Sequence, residues 1–450
     1  MKLTQPRRRS SVLRALAPLR DFLHTEAAGG ALLVVAAVVA MVWANSPWKA
    51  AYHSLWDSRA AIEIAGHGLS LDLRHWVNDG LMAIFFLIVG LEIKREVTSG
   101  HLAGRRAATL PVAAALGGMV VPAALYLAIA GGTAAHGWGV PMATDIALAI
   151  GVLALAGSSV PSTLRAFLLG LAVVDDIGAI VVIAVFYSEG VSFGWLAAAA
   201  GALVVLLALR QWGVSLVWVY VALGVAMWFS LHEAGVHPTL AGVVCGLLTP
   251  VRPRVVADLV DIDELTDLST VEHARATVQI ARDSVSTVEW LEHLLHPWTS
   301  YLIVPLFALA NAGIEVSSDS LRSAFSSPIM WGVLVGLLVG KPLGVILAVR
   351  LAVRSGAADP PEGTTGRQVF GAGQAAGIGF TVAIFIAELA FKDAAQQTDA
   401  KMAILVASLL SGLFAFAVLR TRSRASARCA AAVGQPTDTD TETPVVESRP

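Results

Sequence analysis

Two aspartates stand side by side in the apolar run LAVVDDIGAIVVIAV, with Asp175 and Asp176 falling about midway along it. Neighbours on a helix point about 100° apart. The two carboxylates therefore cannot share one proton and must address different partners. A carboxylate at the edge of a water-filled cavity binds a dehydrated monovalent cation through its oxygens. Burial favours the protonated form of such a group, whereas a bound cation or a lysine favours the ionised one. Cation and proton then compete for the same oxygens, which is the minimum chemistry of an exchanger. The alternative is a pair that only hydrogen-bonds neighbouring helices. Each ionisable group at bilayer depth costs at least about 2.5–3.5 kcal/mol to insert, which argues against so idle a use.

Two further ionisable residues lie inside apolar runs. Lys341, in LLVGKPLGVILAV, sits between Gly340 and Pro342 and is the natural counter-charge to Asp175. Its position about halfway along the run argues against a lysine snorkelling to the interface. Asp145 lies in GWGVPMATDIALAIG, where Pro141 removes a backbone donor after a glycine-rich approach. That span is expected to be broken. The run GAGQAAGIGFTVAIFIA, with Gly371, Gly373, Gly377 and Gly379, is open to the same reading, close helix packing being the alternative. Two interrupted spans in corresponding parts of two halves suggest an inverted-repeat transporter with its site where they meet. Broken helices leave partial charges at their facing ends, which Asp145 and Lys341 are suited to neutralise, and the Thr144 hydroxyl is a further cation ligand.

A second charged cluster borders the membrane. Glu92, Lys94, Arg95 and Glu96 end one apolar span in VGLEIKREV, and Glu292, His293 and His296 begin another. Histidine titrates near neutral pH, so these groups form either a pH-responsive gate or an ordinary charged helix end. Asp79 has no evident partner in the sequence. His237 is either a loop histidine or a sensor.

The elements that position these residues are membrane spans. The chain has 450 residues, 56% apolar and 14% charged, with a formal net charge of −2. Nothing in that balance points to nucleic acid. Apolar runs of the roughly 20 residues that cross a bilayer recur along the chain. They are continuous, which favours helices over a β-barrel. About twelve spans are expected, at 27–45, 77–97, 106–130, 138–157, 165–188, 193–210, 213–231, 236–250, 298–314, 328–352, 367–391 and 400–420. With the N-terminus inside, cytoplasmic segments hold Arg7–Arg9, Lys94, Arg95, Arg105, Arg106, Arg165, Arg210, Arg252, Arg254, Arg275, Arg282, Arg354, Arg367 and the arginines from Arg420 to Arg428. The other side holds only Lys49, Arg59, Arg74, Arg322, Lys392 and Lys401. This asymmetry follows the positive-inside rule and puts both termini in the cytoplasm of a bacterial inner-membrane protein. Residues 1–26 read as a basic cytoplasmic start with a retained first span, and 27–420 as the transport domain. Within it, 46–76 reads as an outer loop with a β-hairpin around Gly66–Gly68. A free hairpin is marginal, so pairing with a second copy is expected. Residues 251–297 form an acidic cytoplasmic loop, and 421–450 a disordered tail. The two cysteines, Cys245 and Cys429, cannot make a disulfide framework.

The segments FFLIVGLEIKREV, PMATDIALAIG, LAVVDDIGAI, VHPTLAGV, LEHLLHPW, PLFALANAG, GKPLG and GIGFTVAIFIAELAF resemble those of the NhaA sodium/proton antiporters, in the same order over roughly residues 20–422. The resemblance implies an all-α membrane protein of twelve helices. Spans three to five and ten to twelve would form inverted repeats, with broken fourth and eleventh helices crossing near Gly377 and Gly379. It implies Asp176 as the main cation ligand, with Asp175 exchanging between proton and Lys341. Thr144 and Asp145 would stand at the broken-helix positions. Glu92, Arg95, Glu96, Glu292, His293 and His296 would make a pH-sensing cluster, with His237 also linked to pH response. The implied activity is electrogenic export of Na⁺ or Li⁺ against H⁺ uptake in sodium and pH homeostasis, in a homodimer joined through the outer hairpin. No cofactor is implied beyond the transported ions. The chain departs from the resemblance in its Thr/Pro-rich tail, its basic first twenty residues, and Glu388, where a small or polar residue is expected.

Two other classes fit less well. An intramembrane aspartyl protease needs two aspartates on separate helices, for which Asp145 and Asp176 would serve, yet GIGF lacks the aspartate of that enzyme's glycine motif. A passive cation channel is disfavoured because Lys341 at mid-membrane would repel cations.

Overall fold

The computed structural model describes residues 26–420 except 65–66, 158–159, 189, 215 and 252–284. Residues 1–25 of the basic start, most of the acidic loop and the tail expected to be disordered lie outside the described residues.

Among the described residues, the apolar runs of spanning length fall largely on helix. The first helix, α1 (Glu26–Ala44), is apolar after its first residue and ends before Pro47. The chain then turns by 116° into α2 (Lys49–Trp56), whose Tyr52 and Trp56 are buried. Two fasteners hold this corner. The Tyr52 hydroxyl donates to the Leu309 carbonyl at 2.8 Å. The Asn45 amide donates to Ile314 at 2.7 Å while its oxygen accepts from the Val316 N–H at 2.6 Å.

Strands β1 (Arg59–Ile64) and β2 (His67–Asp72) follow as an antiparallel pair, with Ile62 registered opposite Leu69 and Ala60 opposite Leu71. Leu73 opens helix α3 (Leu73–Thr98), because the Asp72 carboxylate caps it by accepting from the His75 N–H at 2.7 Å. A π-turn over Trp76–Leu81 interrupts α3. There Asn78 and Asn311 exchange side-chain hydrogen bonds, at 2.7 and 3.4 Å.

Helix α4 (Arg105–Ala130) leads into a 3₁₀ segment, Gly132–Met142, and then α5 (Ile146–Ala156). After α6 (Ser162–Phe186) come α7 (Phe193–Gln211), α8 (Val217–Glu233) and the nine-residue α9 (Leu240–Leu248). The long helix α10 (287–311), with a π-turn at Thr299–Ile303, precedes α11 (Ser318–Ser326). Helix α12 (Pro328–Arg354) carries a third π-turn, Gly336–Gly340, immediately before Lys341. Helices α13 (Gly366–Ala376), α14 (Phe380–Ala390) and α15 (Ala394–Arg420) complete the described chain.

Among the described residues, six single helices are long and apolar enough to cross a bilayer. Three bent pairs pass the same test together: α1 with α2, the 3₁₀ segment with α5 at 42°, and α13 with α14 at 45°. The two breaks expected from the sequence are thus present. Leu148 and Val152 of α5 pack against the same core as Val382–Ala387 of α14. The main core also takes in α1, α3, α4, α6, α10, α12 and α15, while α7, α8 and α9 gather around a smaller cluster of Ala199, Leu206, Met227, Leu231 and Ala241. Large apolar side chains point outward along the helices, as at Val35, Val120, Val185, Leu351 and Leu409. A surface of that kind is suited to lipid rather than water.

Candidate functional site

The site forms where the two helix breaks touch. The Asp145 N–H donates to the Ile378 carbonyl at 2.6 Å, and the Thr144 hydroxyl lies 2.8 Å from the Ala376 carbonyl. A Cβ at Gly379 would stand 3.1 Å from the Ala143 carbonyl, and one at Gly377 only 2.6 Å from that of Leu337. Glycine at both positions lets backbone approach backbone.

Each break leaves helix-end groups without intrahelical partners, and side chains take them up. Asp145 serves two helix starts at once. Its Oδ1 accepts from the Leu148 N–H at 3.1 Å, capping α5. Its Oδ2 accepts from the Thr381 N–H at 3.1 Å and hydroxyl at 2.7 Å, at the start of α14. A negative group between two helix N-termini is well placed against their dipoles. At the opposite kind of end, the Lys341 ammonium donates to the carbonyl of Met142, the last residue of the 3₁₀ segment.

Helix α6 brings the aspartate pair to this junction. Asp175 is 1% exposed, and its Oδ2 accepts from Lys341 Nζ at 2.5 Å and lies 2.6 Å from the Thr144 hydroxyl. Its Oδ1 is buried and takes no hydrogen bond among the described residues. Asp176, one residue on and 6% exposed, is free of side-chain hydrogen bonds to other described residues. Lys341 is fully buried. Three buried carboxylates thus gather around one ammonium, an excess of negative charge that a low-dielectric interior does not support uncompensated.

The structure brings Thr144, Asp145, Asp175, Asp176, Lys341, Gly377 and Gly379 into this junction. It also supplies Thr381, whose hydroxyl completes the Asp145 cap, and Gln374, both overlooked in the sequence. A threonine two residues past the second glycine break, mirroring Thr144 at the first, was the available signal.

The second charged cluster is a separate assembly. Arg95 on α3 pairs with Glu292 on α10 and lies 3.6 Å from Glu96. Glu96 is buried and accepts from the His101 N–H at 2.9 Å. Burial pushes the Glu292 carboxyl above the usual glutamate range, against the opposing pull of Arg95. Glu92 is half-buried one turn before Glu96, while His293 and His296 are exposed on α10. His237 lies apart from Arg95 and Glu292, its Nε2 donating to the Tyr187 carbonyl at 2.8 Å just past the end of α6. Tyr187 in turn donates its hydroxyl to the His136 carbonyl at 2.7 Å, in the 3₁₀ segment. Glu388 is paired with Lys401 of α15, both side chains being largely buried.

Apolar-surfaced helices, two contacting breaks and buried charge of both signs define a polytopic membrane carrier. A family model described as Na⁺/H⁺ antiporter 1 matches residues 20–419. A protein named Na(+)/H(+) antiporter NhaA from Oleidesulfovibrio alaskensis is 46% identical over 425 residues, 90% of this chain and 94% of its own length. One of the same name from Janthinobacterium sp. is 46% identical, covering 92% of this chain and 95% of its own. Na(+)/H(+) antiporter NhaA 3 of Frankia alni is 40% identical over 93% and 92%. The chain belongs to this Na⁺/H⁺ antiporter family, as its motifs suggested.

Proposed function

We propose that this chain exports Na⁺, and also Li⁺, in exchange for H⁺ taken up down its gradient, and that Asp176 and Asp175 are where the two ions compete. The observation that carries this reading is the contrast between the neighbours. Asp175 is held by Lys341 and Thr144, whereas Asp176 beside it has its carboxylate unengaged among the described residues. Asp176 takes the dehydrated cation through its oxygens, with Thr144 and the spare Oδ1 of Asp175 within the same junction. Asp175 and Lys341 handle the proton. When Na⁺ loads, its charge displaces the ammonium of Lys341 from Asp175 and drives a proton out; when Na⁺ leaves, the pair re-forms with a proton from the other side. A second proton leaves Asp176 as the cation takes its place on that carboxylate, so two protons move per cation and the exchange is electrogenic. Asp145 has a fixed role, tying the helix starts together, and its three hydrogen bonds also disfavour a protease reading in which it would share a water with Asp176.

The wider reading is an inner-membrane protein of twelve spans with both termini cytoplasmic. Its inverted repeats bring broken helices across each other, and it dimerises through the hairpin. The two bends of 42° and 45°, the contacts between them and the paired strands support it. The cluster of Arg95, Glu96 and Glu292 regulates it by cytoplasmic pH, with Glu92, His237, His293 and His296 as contributing groups.

The test is proton movement in everted vesicles on adding NaCl, LiCl or KCl. Na⁺ and Li⁺ are expected to discharge an imposed pH gradient, and Asp176→Asn to abolish the response. An asparagine variant that exchanges like the parent would remove Asp176 as the cation ligand.

A further inference from the structure

We infer that Gln374 is a positioning residue for Lys341, fixing the lysine to the same half-helix that carries the second break. The inference rests on the reading above that Lys341 works with Asp175.

The geometry begins with a proline. In an α-helix the N–H of residue i bonds the carbonyl of residue i−4. Pro342 has no N–H, so it cannot serve the Leu338 carbonyl. The helix around it is already loosened, since Gly336–Gly340 is a π-turn closed by the Lys341 N–H on the Gly336 carbonyl. A π-turn often marks a functional position. Here the next residue after it is the buried ammonium of the site.

Gln374 answers the missing donor. It lies on α13, 3% exposed, and its Nε2 donates to the Leu338 carbonyl at 3.2 Å. The same nitrogen reaches the Ser411 hydroxyl of α15 at 3.3 Å. Two residues further along α13, the Ala376 carbonyl lies within reach of the Thr144 hydroxyl, which also contacts Asp175. One half-helix therefore holds both the turn that presents Lys341 and the threonine beside its partner. Close backbone contact secures the arrangement, because a Cβ at Gly373 would meet the Pro342 Cα at 3.2 Å. A buried carboxamide is costly unless paired, and a structural amide would be equally satisfied anywhere along α12. Its placement at a carbonyl that Pro342 cannot serve, three residues before Lys341, is what singles it out.

If α13 shifts when the carrier alternates, Gln374 carries the Lys341 turn with it. Its loss should leave the cation ligand Asp176 untouched and disturb the proton step. Gln374→Leu, of similar size and without donor, is expected to move the pH of half-maximal Na⁺-driven proton release by about half a unit or more. The Na⁺ concentration for half-maximal response, measured at the pH optimum of each variant, should stay within about twofold. A purely structural loss would lower the amount of active carrier and leave the pH midpoint in place.

The decisive comparison is a double-mutant cycle. Pro342→Ala restores an N–H directed at Leu338. Adding Gln374→Leu to Pro342→Ala should shift the pH midpoint much less than it does in the parent. Independent, additive shifts would overturn the inference, as would a parental midpoint in Gln374→Leu itself. If the leucine variant does not reach the membrane, Gln374→Met, equally long and without a donor, is read in its place. Parent and Lys341→Ala are measured alongside. No Na⁺-driven proton movement in the parent, or a Lys341→Ala profile identical to it, would defeat the functional reading. A shifted Lys341→Ala profile with an unmoved Gln374 variant would defeat only this inference.

Discussion

Thr144 has one hydroxyl proton and two acceptors, Asp175 Oδ2 at 2.6 Å and the Ala376 carbonyl at 2.8 Å. Whichever it serves, the hydroxyl oxygen remains free to accept a cation. Thr144→Val keeps the shape and removes both functions, leaving whichever acceptor the hydroxyl served short of a partner, at about 1–3 kcal/mol. If about 1.4 kcal/mol of that falls on the cation-bound state, the Na⁺ concentration for half-maximal exchange rises roughly tenfold. Thr144→Ser should stay near the parent, and a valine variant with unchanged Na⁺ dependence would take the hydroxyl out of the site. The charged members of this junction were legible in the sequence, because Asp175, Asp176, Asp145 and Lys341 each interrupt an apolar run and so demand a partner. Thr381 and Gln374 were not. A neutral polar residue in a glycine-rich stretch is no anomaly, and its value appears only when another helix offers a helix start or an abandoned carbonyl.

At the scale of elements, α12 is held to α4 by a row of glycines. Gly336, Gly340 and Gly344 recur every four residues and so share one face. A Cβ at Gly340 would stand 2.9 Å from the Pro122 Cα, and one at Gly344 only 2.1 Å from the Gly117 carbonyl. Such contacts let helices in lipid pack backbone to backbone, and here they set the depth and rotation of the helix that carries Lys341. Gly344→Ala must push the helices apart, an overpacking cost of about 1–3 kcal/mol. The expected result is a lower melting temperature in detergent by size-exclusion after heating, together with most of the exchange lost. Leu343→Ala, at a neighbouring exposed position, should change neither. Equal stability of the two variants would mean that this face tolerates a methyl and does not fix α12. The spacing of these glycines was readable in GLLVGKPLG, whereas the sequence reading assigned glycine a role only at the breaks and in the outer hairpin. The three π-turns left no such trace, although a proline soon follows two of them, at Pro305 and Pro342. Glu388 stood out in the sequence for a related reason. Its partner Lys401 lies on the next helix, and only their folding together explains it.

Across the whole molecule, α3 and α10 are joined at two places, by Asn78 with Asn311 near one end and by Arg95 with Glu292 at the charged cluster. Between those places α3 carries Glu92, whose charge is felt at Asp176. On the reading above, α3 is the element through which a change in the Arg95–Glu292 pair reaches the proposed ion site. Burial lifts the Glu292 carboxyl above its ordinary value, with Arg95 opposing, so on acidification it accepts a proton before exposed glutamates do. The proton cancels the ion pair and leaves Arg95 with Glu96 alone, which on the reading above turns exchange down at acid cytoplasmic pH. The linkage sign follows from the same shift. A carboxyl raised in the fold contributes its stability below its unfolded value and loses that contribution as pH rises through the raised one. Glu292→Gln, fixed in the neutral form, should flatten the acid limb of the activity profile and hold the rate at its turned-down level across it. The melting temperature of the variant should also depend less on pH than that of the parent between the ordinary glutamate value and neutrality. Everted vesicles poised at a series of outside pH values, which bathe the cytoplasmic face, measure the first effect. A glutamine variant with the parental slope and midpoint would separate this pair from regulation and leave it as a strut between two helices.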